Sequence, residues 1–497
     1  MNSTKKVASG IIWSFIANAV NALYGFISVP ILIHYFGKAE YGIIGLAMSV
    51  NVYMQLMDLG LNSTNVRFFA SWLAKGDKEK TNSLFQTALA FYGIIGVLNG
   101  IILLIISFFS KQLFHLDVEQ DTILKTLFYI LAISAFVSWY SSCFDQLIKA
   151  TENVAWIQRR SLFPKLLQII ILFITVYGHL SIFWYFLLTT FALFTIIPWS
   201  VRKIKLETPF IKFFPKFDMP CFKEILPYCL NIFSFSLFQF SFYNLRPVFL
   251  GIQGTVESVA DFRVLNGIMG LVAMFGGAFL GVLLPSTAKI VEQGNKDAYY
   301  RVAYTGTKYI TIVVCFCSFG LMSVGPELIN LYIGESFLYL LPWYNLWLLC
   351  MLGVHNQAIS SLILSGTDIR AITYNTVVAS IVGLLFSWFL IPYYKIGGVV
   401  ISLAIYMVIQ LLFYYIYYWP RKMQINSLKV FGCSFLPYTV SGGALAVIIS
   451  LFLNVSANIW ISFIVKGGTF VIAFGIVVLF LFTKSDRDFM LTIIKKK

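Results

Sequence analysis

The chain has 497 residues, of which 59% are hydrophobic, 17% aromatic and only 11% charged, and its mean hydropathy is +0.83. Soluble proteins carry about 25% charged residues, so this composition excludes a water-soluble globular protein. Apolar runs of about 20 residues, long enough to cross a bilayer as a helix, recur along the chain and predict an all-α polytopic membrane protein.

Fourteen transmembrane helices are predicted from these runs, which are too long and continuous for the strands of a membrane barrel. The first run follows Lys5 and Lys6 as a signal peptide would, but its length and the missing cleavage site favour a retained span. The predicted spans are 9–35, 40–62, 84–109, 122–148, 162–178, 181–200, 224–250, 259–287, 305–333, 341–365, 371–391, 397–418, 433–453 and 459–482.

Basic residues are concentrated on one side of this predicted topology. If the N-terminus is cytoplasmic, most of the 36 Lys and Arg residues lie in inward segments, whereas the outward loops carry Lys38, Lys111 and Lys395. This positive-inside bias predicts that both termini are cytoplasmic. The net charge of +15 is then explained by topology and by contact with anionic lipid headgroups, so nucleic acid is not expected as a partner.

The sequence shows no pattern typical of an enzyme. The loops are too short for an extramembrane domain, and phosphate-binding, nucleophile-elbow and metal-spaced histidine motifs are absent. The seven cysteines include no CxxC pair, which argues against a zinc site or a disulfide framework. We therefore expect a transporter with no enzymatic activity, metal or cofactor.

Several short patterns occur twice, once in each half of the chain. A proline precedes a glycine by seven residues in both halves, and similar tetrapeptides follow in the same order. The matching pairs are Pro30 with Gly37 and Pro247 with Gly254, LNST (61–64) and LPST (284–287), and KGDK (75–78) and QGNK (293–296).

The repeat joins segments an even number of spans apart, which predicts two halves in the same orientation. Such halves pack about an axis along the membrane normal, with a binding site between them. The predicted domains are an N-lobe of six spans, a basic cytoplasmic linker, a C-lobe of six spans, and two added spans with a basic tail. Their limits are 1–200, 201–223, 224–418 and 419–497.

Three segments carry a family resemblance. The first is VPILIHYFGKAEYGIIGLAMSVNVYMQLMDLGLNSTNVRFFA (29–70), with a proline-bearing span, a G-x-x-x-YG turn, DLGL and an arginine. The others are RPVFLGIQGTVESVADFRVLNGI (246–268) and LILSGTDIRAITYNTVVASIVGLLFSWFLIPYYKIGGVVIS (362–402). These segments resemble polysaccharide exporters of the Wzx type, which belong to the MOP superfamily with the lipid II flippases and the MATE exporters.

The resemblance implies a two-lobed, 14-helix transporter of the bacterial cytoplasmic membrane with a basic central cavity. Its substrate would be an oligosaccharide on undecaprenyl diphosphate, turned to the outer leaflet for surface polysaccharide assembly. Membrane lipids and other assembly proteins would be its further partners. The family often carries an aspartate two residues before the position of Arg246, where this chain has Asn244.

Arg246 is the last of four polar residues that form a stripe along the seventh predicted span. Ser236, Gln239, Tyr243 and Arg246 are spaced three, four and three residues apart, which places them on one face of a helix. Lipid would favour an apolar stripe there, so this face is expected to meet protein or water. Two interpretations of Arg246 stay open: a side chain in the transport cavity, and one that snorkels to the outer headgroups.

The eighth span begins with a similar face, which carries Arg263 and Asn266. Arg263 could face the cavity or the interface, since Asp261 lies nearby. We expect Arg246 and Arg263 to attract the diphosphate. Ser236, Gln239, Tyr243 and Asn266 are then expected to meet the glycan.

Four further charges lie within predicted spans and are candidates for ion coupling or for structural pairs. Asp58 could cap or pair locally, and Asp145 is predicted to pair with Lys149 one helical turn away. Lys466 could reach lipid headgroups or contact substrate, and Glu327 is predicted to be interfacial.

No ATP site is recognisable, so transport would be coupled to the membrane potential or to a proton or sodium gradient. The sequence leaves a second function open, a MATE-like exporter of small cationic molecules, which would need acidic residues in its cavity. A membrane-embedded glycan polymerase or transferase would need a large outer loop, and the sequence predicts none.

Overall fold

The structure is a computed structural model, which describes residues 3–364, 370–453 and 458–483. Within these ranges the chain forms helices joined by short turns and contains no β-strand, which confirms the all-α prediction. Helices satisfy their backbone hydrogen bonds internally, as a chain in hydrocarbon must.

Twenty α-helices follow one another along the described part of the chain. They are α1 (Ser3–Phe36), α2 (Lys38–Tyr53), α3 (Leu61–Ala74), α4 (Lys78–Phe114), α5 (Val118–Ala150), α6 (Val154–Tyr177), α7 (Ile182–Ala192), α8 (Ile197–Glu207), α9 (Met219–Gln253), α10 (Val256–Glu292), α11 (Lys296–Arg301), α12 (Thr307–Ser323), α13 (Gly325–Ile333), α14 (Leu341–Met351), α15 (Gln357–Leu364), α16 (Arg370–Tyr394), α17 (Ile396–Leu412), α18 (Ser427–Lys429), α19 (Leu436–Phe452) and α20 (Ile459–Leu481).

Short stretches of tighter or wider helix continue several of these elements. Turns of 3₁₀-helix cover Met54–Asp58, Leu193–Ile196, Glu335–Leu340 and Leu352–Asn356, and π-helix covers Val302–Gly306, Phe413–Lys422 and Val430–Phe435.

Eleven helical segments among the described residues are long and apolar enough to cross a membrane, or twelve if the bent pair α2–α3 counts as one span. This number and their length identify a multi-pass membrane protein.

The second span is longer than predicted and broken in the middle. The sequence predicts a helix over 40–62, whereas the structure continues it beyond a break into α3, which ends at Ala74. At the break, Leu59 and Gly60 take positive φ values of 51° and 81°, and the two parts meet at 44°. The polar LNST segment therefore lies inside a bent helix and does not end the span.

The predicted repeat has the same local geometry at its glycine turns. Gly76 and Gly294 both take a left-handed φ, at 72° and 62°, which a residue without Cβ adopts at little cost. The residue after each glycine donates its backbone N–H five residues back, and its side chain then caps the next helix. Thus KGDK and QGNK form the same helix–turn–helix junction.

The described residues pack into two compact units. The first comprises Met1–Gly267 and Thr376–Ser402, and the second comprises Ile268–Asn375 and Leu403–Lys497. These units group residues that pack together, whereas the predicted division 1–200, 201–223, 224–418 and 419–497 follows the repeat. That division remains a prediction.

Part of the predicted basic linker packs against α4 within the first unit. The segment before α9 donates backbone N–H groups from Lys216 to the Gln86 carbonyl and from Asp218 to the Thr87 hydroxyl. The Asp218 carboxylate accepts hydrogen bonds from the Ser83 hydroxyl and the Cys221 N–H, which lower the pKa of Asp218. The linker thus lies along the start of α4.

Within the first unit, α2 crosses the start of α10 at very short distance. A Cβ atom built on Gly42 would lie 2.0 Å from the Val256 carbonyl oxygen, and one on Gly45 would lie 2.4 Å from Arg263 Cδ. Membrane helices approach this closely where small residues occupy the crossing. The glycines therefore set the position of Arg263 against α2.

We predict that Gly42→Ala destabilises the protein by about 1–3 kcal/mol, the usual cost of forcing extra atoms into a packed site. The backbone of α10 cannot move away as a flexible side chain would, so the melting temperature in detergent should fall. Gly475→Ala is the control, because a Cβ there meets nothing within 4 Å. Equal melting temperatures for the two variants would contradict the close crossing.

Candidate functional site

A cavity of about 370 Å³ lies in the first unit, where α1, α2, α9 and α10 meet. This is the volume of a small ligand pocket. Gly25 and Val29 of α1 form part of its wall, and seven of the fourteen described lining residues are polar. The polar lining residues are Tyr41, Ser49, Tyr243, Asn244, Arg246, Arg263 and Asn266.

Arg246 lies among aromatic rings at this cavity, and only 3% of its surface is exposed. Its Cζ atom is 4.9 Å from the centre of the Phe242 ring, 5.3 Å from Tyr243 and 5.8 Å from Phe262. Ring faces attract a guanidinium, and the attraction increases when water is removed. Arg246 is thus buried among protein side chains at the cavity wall.

Arg263 approaches the same cavity from α10. Its Nε–H donates a hydrogen bond to the Tyr41 hydroxyl at 3.2 Å, and its Cζ lies 5.4 Å from the centre of that ring. The stem of the side chain passes over Gly45, as the short Cδ distance shows. The tyrosine and the glycine of α2 together hold the guanidinium at the cavity.

The two arginines give the cavity its positive charge, and the acidic and polar side chains nearby contact other groups. Asp261 forms an ion pair with Lys38 at 2.7 Å, so that carboxylate is directed to a lysine. The Asn244 amide donates to the Phe240 carbonyl of its own helix. Among the residues that the structure describes, no carboxylate lines this cavity. Two guanidinium groups in a low-dielectric site favour an anion.

The structure brings together four of the six residues predicted to bind substrate. Gln239 is exposed and is not among the lining residues, and the side chain of Ser236 lies outside the described residues. The role of all six in binding stays a prediction. The four that line the cavity are Tyr243, Arg246, Arg263 and Asn266.

Two polar members of the site, Tyr41 and Ser49, are absent from the sequence prediction. Both lie on α2, which reads as an apolar span. The one available signal was weak: Gly42 and Gly45 lie one helical turn apart beside Tyr41, and small residues on one face of a helix allow a close crossing.

A second polar cavity in the first unit, of about 560 Å³, surrounds Asp58 at the helix break. The carboxylate accepts a hydrogen bond from the Tyr92 hydroxyl at 2.7 Å and another from the Asn62 backbone N–H at 2.9 Å. Oxygen-bearing side chains from several helices complete the wall. They include Asn51, Gln55, Asn99, Ser134, Ser138 and Ser142.

The hydrogen bonds behind Asp58 all run in one direction. Asn65 Nδ2 donates to Gln146 Oε1 at 2.9 Å, and Gln146 Nε2 donates to the Tyr92 hydroxyl at 2.7 Å. Tyr92 then donates to Asp58. This chain of donors ends on the carboxylate and stabilises its charge.

Asp145 forms an ion pair across helices, and the predicted pairing with Lys149 is wrong. Its Oδ1 lies 2.7 Å from Arg160 Nη2, and Arg160 also donates to the Ser200 hydroxyl. Arg160 is buried between these helices, so an ion pair between helices replaces the predicted pair one turn along α5. The pair connects α5, α6 and α8.

Lys466 also forms an ion pair, which neither interpretation of this residue anticipated. Its Nζ lies 2.6 Å from Glu327 Oε1, and the Ser462 hydroxyl donates to the same oxygen at 2.8 Å. Both charged side chains are 9% exposed. Glu327 is therefore buried in the second unit, and its interfacial depth stays a prediction.

An all-α multi-pass protein with a basic cavity among its helices has the construction of a membrane transporter. The model of the polysaccharide biosynthesis protein family matches residues 7–291, and that of the lipid II flippase MurJ matches residues 266–470. The chain belongs to the polysaccharide biosynthesis protein family. This confirms the Wzx-type resemblance, while a search of curated protein sequences finds no match.

Solved structures share this fold at low sequence identity. The inward closed conformation of the lipid II flippase MurJ is 14% identical, with a TM-score of 0.74 over 97% of this chain and 100% of that one. An inward-facing multidrug resistance MATE family transporter of the MOP superfamily is 15% identical, with a TM-score of 0.63 over 82% and 95%. A MOP superfamily transporter from Pyrococcus furiosus, reported with reverse polarity of its binding pocket, is 15% identical, with a TM-score of 0.54 over 83% and 94%.

We predict that Lys466→Met destabilises the protein by about 3–5 kcal/mol, because it leaves the Glu327 carboxylate buried without its counter-ion. The double variant Glu327→Leu with Lys466→Met should recover most of that loss. Thermal unfolding in detergent measures both. A double variant as unstable as the single one would show that the pair is not the stabilising element.

Proposed function

We propose that this protein turns a polyprenyl-diphosphate-linked oligosaccharide from the cytoplasmic to the outer leaflet, by alternating access, for surface polysaccharide assembly. The observation that carries the proposal is the cavity lined by Arg246 and Arg263. Arginine suits a diphosphate because its planar donors match phosphate oxygens in pairs. The protein itself catalyses no bond change in this scheme.

The cavity volume suggests which part of the substrate it takes. About 370 Å³ accommodates a diphosphate and the first sugar, but not a whole oligosaccharide and its lipid. In our proposal the arginines bind the diphosphate, and Tyr243 and Asn266 contact the sugar. The polyprenyl chain stays in the bilayer, where it needs no protein cavity.

The proposed architecture has 14 spans in two six-helix lobes, with two further helices at the C-terminus. Supporting it, α9 and α10 have 35 and 37 residues, ample length to cross in addition to the spans counted above. The matching turns at Gly76 and Gly294 support the parallel repeat. The excess of basic residues on one side supports cytoplasmic termini in a bacterial cytoplasmic membrane.

The alternative function, a MATE-like exporter of cations, has less support. The MATE fold neighbours share the architecture, so only the site separates the two functions. A cation exporter needs acidic groups where its substrate binds, and the residues lining this cavity include two arginines and no carboxylate. The charge of the cavity therefore favours an anionic substrate.

For energy coupling, we propose that Asp58 takes up a cation or proton during the transport cycle. The carboxylate stands at a helix break beside a polar cavity, and an ionisable group within a membrane span has a functional role as its default explanation. The driving force would be a proton or sodium gradient or the membrane potential, worth about 2.3 kcal/mol per charge per 100 mV.

We predict that Arg246→Ala and Arg263→Ala each reduce export of surface glycan about 10- to 100-fold, as expected for the loss of charge-assisted hydrogen bonds to phosphate. Surface glycan in cells that depend on this protein measures the effect, with protein level as a check. Arg67→Ala is the matched control. It removes an arginine 4.2 Å from the Tyr228 ring centre, and Arg67 does not line the cavity. Full export by the double variant Arg246→Ala with Arg263→Ala would refute the assignment.

We predict that Asp58→Asn abolishes the dependence of transport on an imposed ion gradient or potential. Tyr92 donates to Oδ1 and the Asn62 N–H to Oδ2 of the carboxylate, so the amide accepts only one of the two bonds, and the melting temperature of the variant is the check on its fold. Flipping in proteoliposomes under separate proton, sodium and potential gradients measures the effect, with Tyr92→Phe as a control that retains the carboxylate. A variant coupled as well as the wild type would exclude Asp58.

A further inference from the structure

A large cavity in the second unit shares no described lining residue with the proposed transport site. It has a volume of about 1310 Å³ and is formed by the segment from α11 to the start of α12, the segment from α18 to α19, and the end of α20. Its walls are the ends of membrane-spanning segments. The cavity is therefore at the level of the lipid headgroups.

Among the described residues, three cations and one carboxylate line this cavity. Arg301 and Lys308 come from the α11–α12 segment, and Lys429 comes from α18, while Asp297 is the acid. Arg301 and Lys429 are exposed, and Lys308 is partly buried. The excess of positive charge faces a volume open to solvent and lipid, which suits a phosphate group.

Two π-helical segments shape the wall between these cations. The π-helix Val302–Gly306 displaces backbone groups from the regular helical pattern, and the Ser434 hydroxyl of the π-helix Val430–Phe435 donates to the Tyr304 carbonyl at 2.9 Å. The Tyr304 hydroxyl accepts the Asn426 backbone N–H at 3.0 Å. Such π-segments are rare and are frequently found at functional sites.

These contacts place Lys429 opposite the helix that bears Arg301 and Lys308. Lys429 Nζ lies 4.7 Å from the centre of the Tyr304 ring, and the Asn426 side chain accepts the Lys429 backbone N–H. The cationic walls are thus held by specific hydrogen bonds and are not a chance cluster of surface lysines.

Apolar surface next to the cavity favours a lipid over a soluble phosphate. Leu481 of α20 lines the cavity, and three residues of the same helix, Ile476, Leu479 and Phe480, are 49%, 62% and 80% exposed. An anionic lipid could place its phosphate between the cations and its acyl chains along α20. Basic pockets between spans at a membrane surface bind lipid headgroups in this way.

We propose that this cavity, with Arg301, Lys308 and Lys429 on its walls, is a binding site for the phosphate of an anionic membrane phospholipid. The site is independent of the cavity at Arg246. It gives the second unit a means to respond to the lipid composition of the leaflet.

The test is direct binding to the purified full-length protein in detergent, followed by native mass spectrometry and thermal unfolding. Dioctanoyl phosphatidylglycerol should bind and raise the melting temperature more than dioctanoyl phosphatidylcholine or inorganic phosphate. The triple variant Arg301→Gln, Lys308→Gln, Lys429→Gln should bind phosphatidylglycerol about a hundredfold more weakly, as expected from about 1 kcal/mol for each of three basic residues near a membrane surface.

The matched control neutralises three exposed basic residues outside the cavity, Lys75→Gln, Arg421→Gln and Lys422→Gln. It changes the net charge equally and should bind phosphatidylglycerol as the wild type does. The charge-retaining double variant Arg301→Lys, Lys429→Arg should keep the preference, which tests the site even if the triple variant folds poorly. Equal loss in the control, or an equal response to inorganic phosphate, would overturn the proposal.

Discussion

The structure of the proposed transport site depends on keeping two guanidinium groups charged inside apolar helices. An arginine at mid-bilayer costs about 3 kcal/mol on insertion scales, so the fold must supply favourable surroundings. Arg246 receives three aromatic rings within 6 Å, and Arg263 receives a tyrosine hydroxyl and its ring. These contacts stabilise positive charge at the wall of the cavity.

A fixed arrangement of four helices follows from this requirement. The guanidinium of Arg263 reaches Tyr41 only because α2 has glycines where α10 crosses it. Lys38 at the start of α2 pairs with Asp261 of α10, a second polar contact between the same two helices. The position of the arginine at the cavity thus depends on the close crossing of α2 and α10, so the small residues are as necessary as the charged ones.

Sequence periodicity predicts what lies along one helix, and it fails for contacts between helices. The spacing of Tyr243 and Arg246 correctly indicates one polar face, and the repeated glycines indicate equivalent turns. Nothing in the sequence pairs Tyr41 with Arg263, 222 positions apart, or Glu327 with Lys466, 139 positions apart. The rule that opposite charges four residues apart on a helix pair gives the wrong partner for Asp145, because the buried Arg160 on another helix is closer to its carboxylate than Lys149.

The central claim is that the cavity at Arg246 and Arg263 recognises a diphosphate. It is tested most directly by calorimetric titration of the purified protein with geranyl diphosphate and, separately, with a cationic dye. The account predicts that the wild type binds the diphosphate, that binding weakens with salt, and that Arg246→Ala and Arg263→Ala each weaken it at least about tenfold. Equal affinity of the wild type and both variants for the diphosphate, or tight binding of the dye alone, would contradict it.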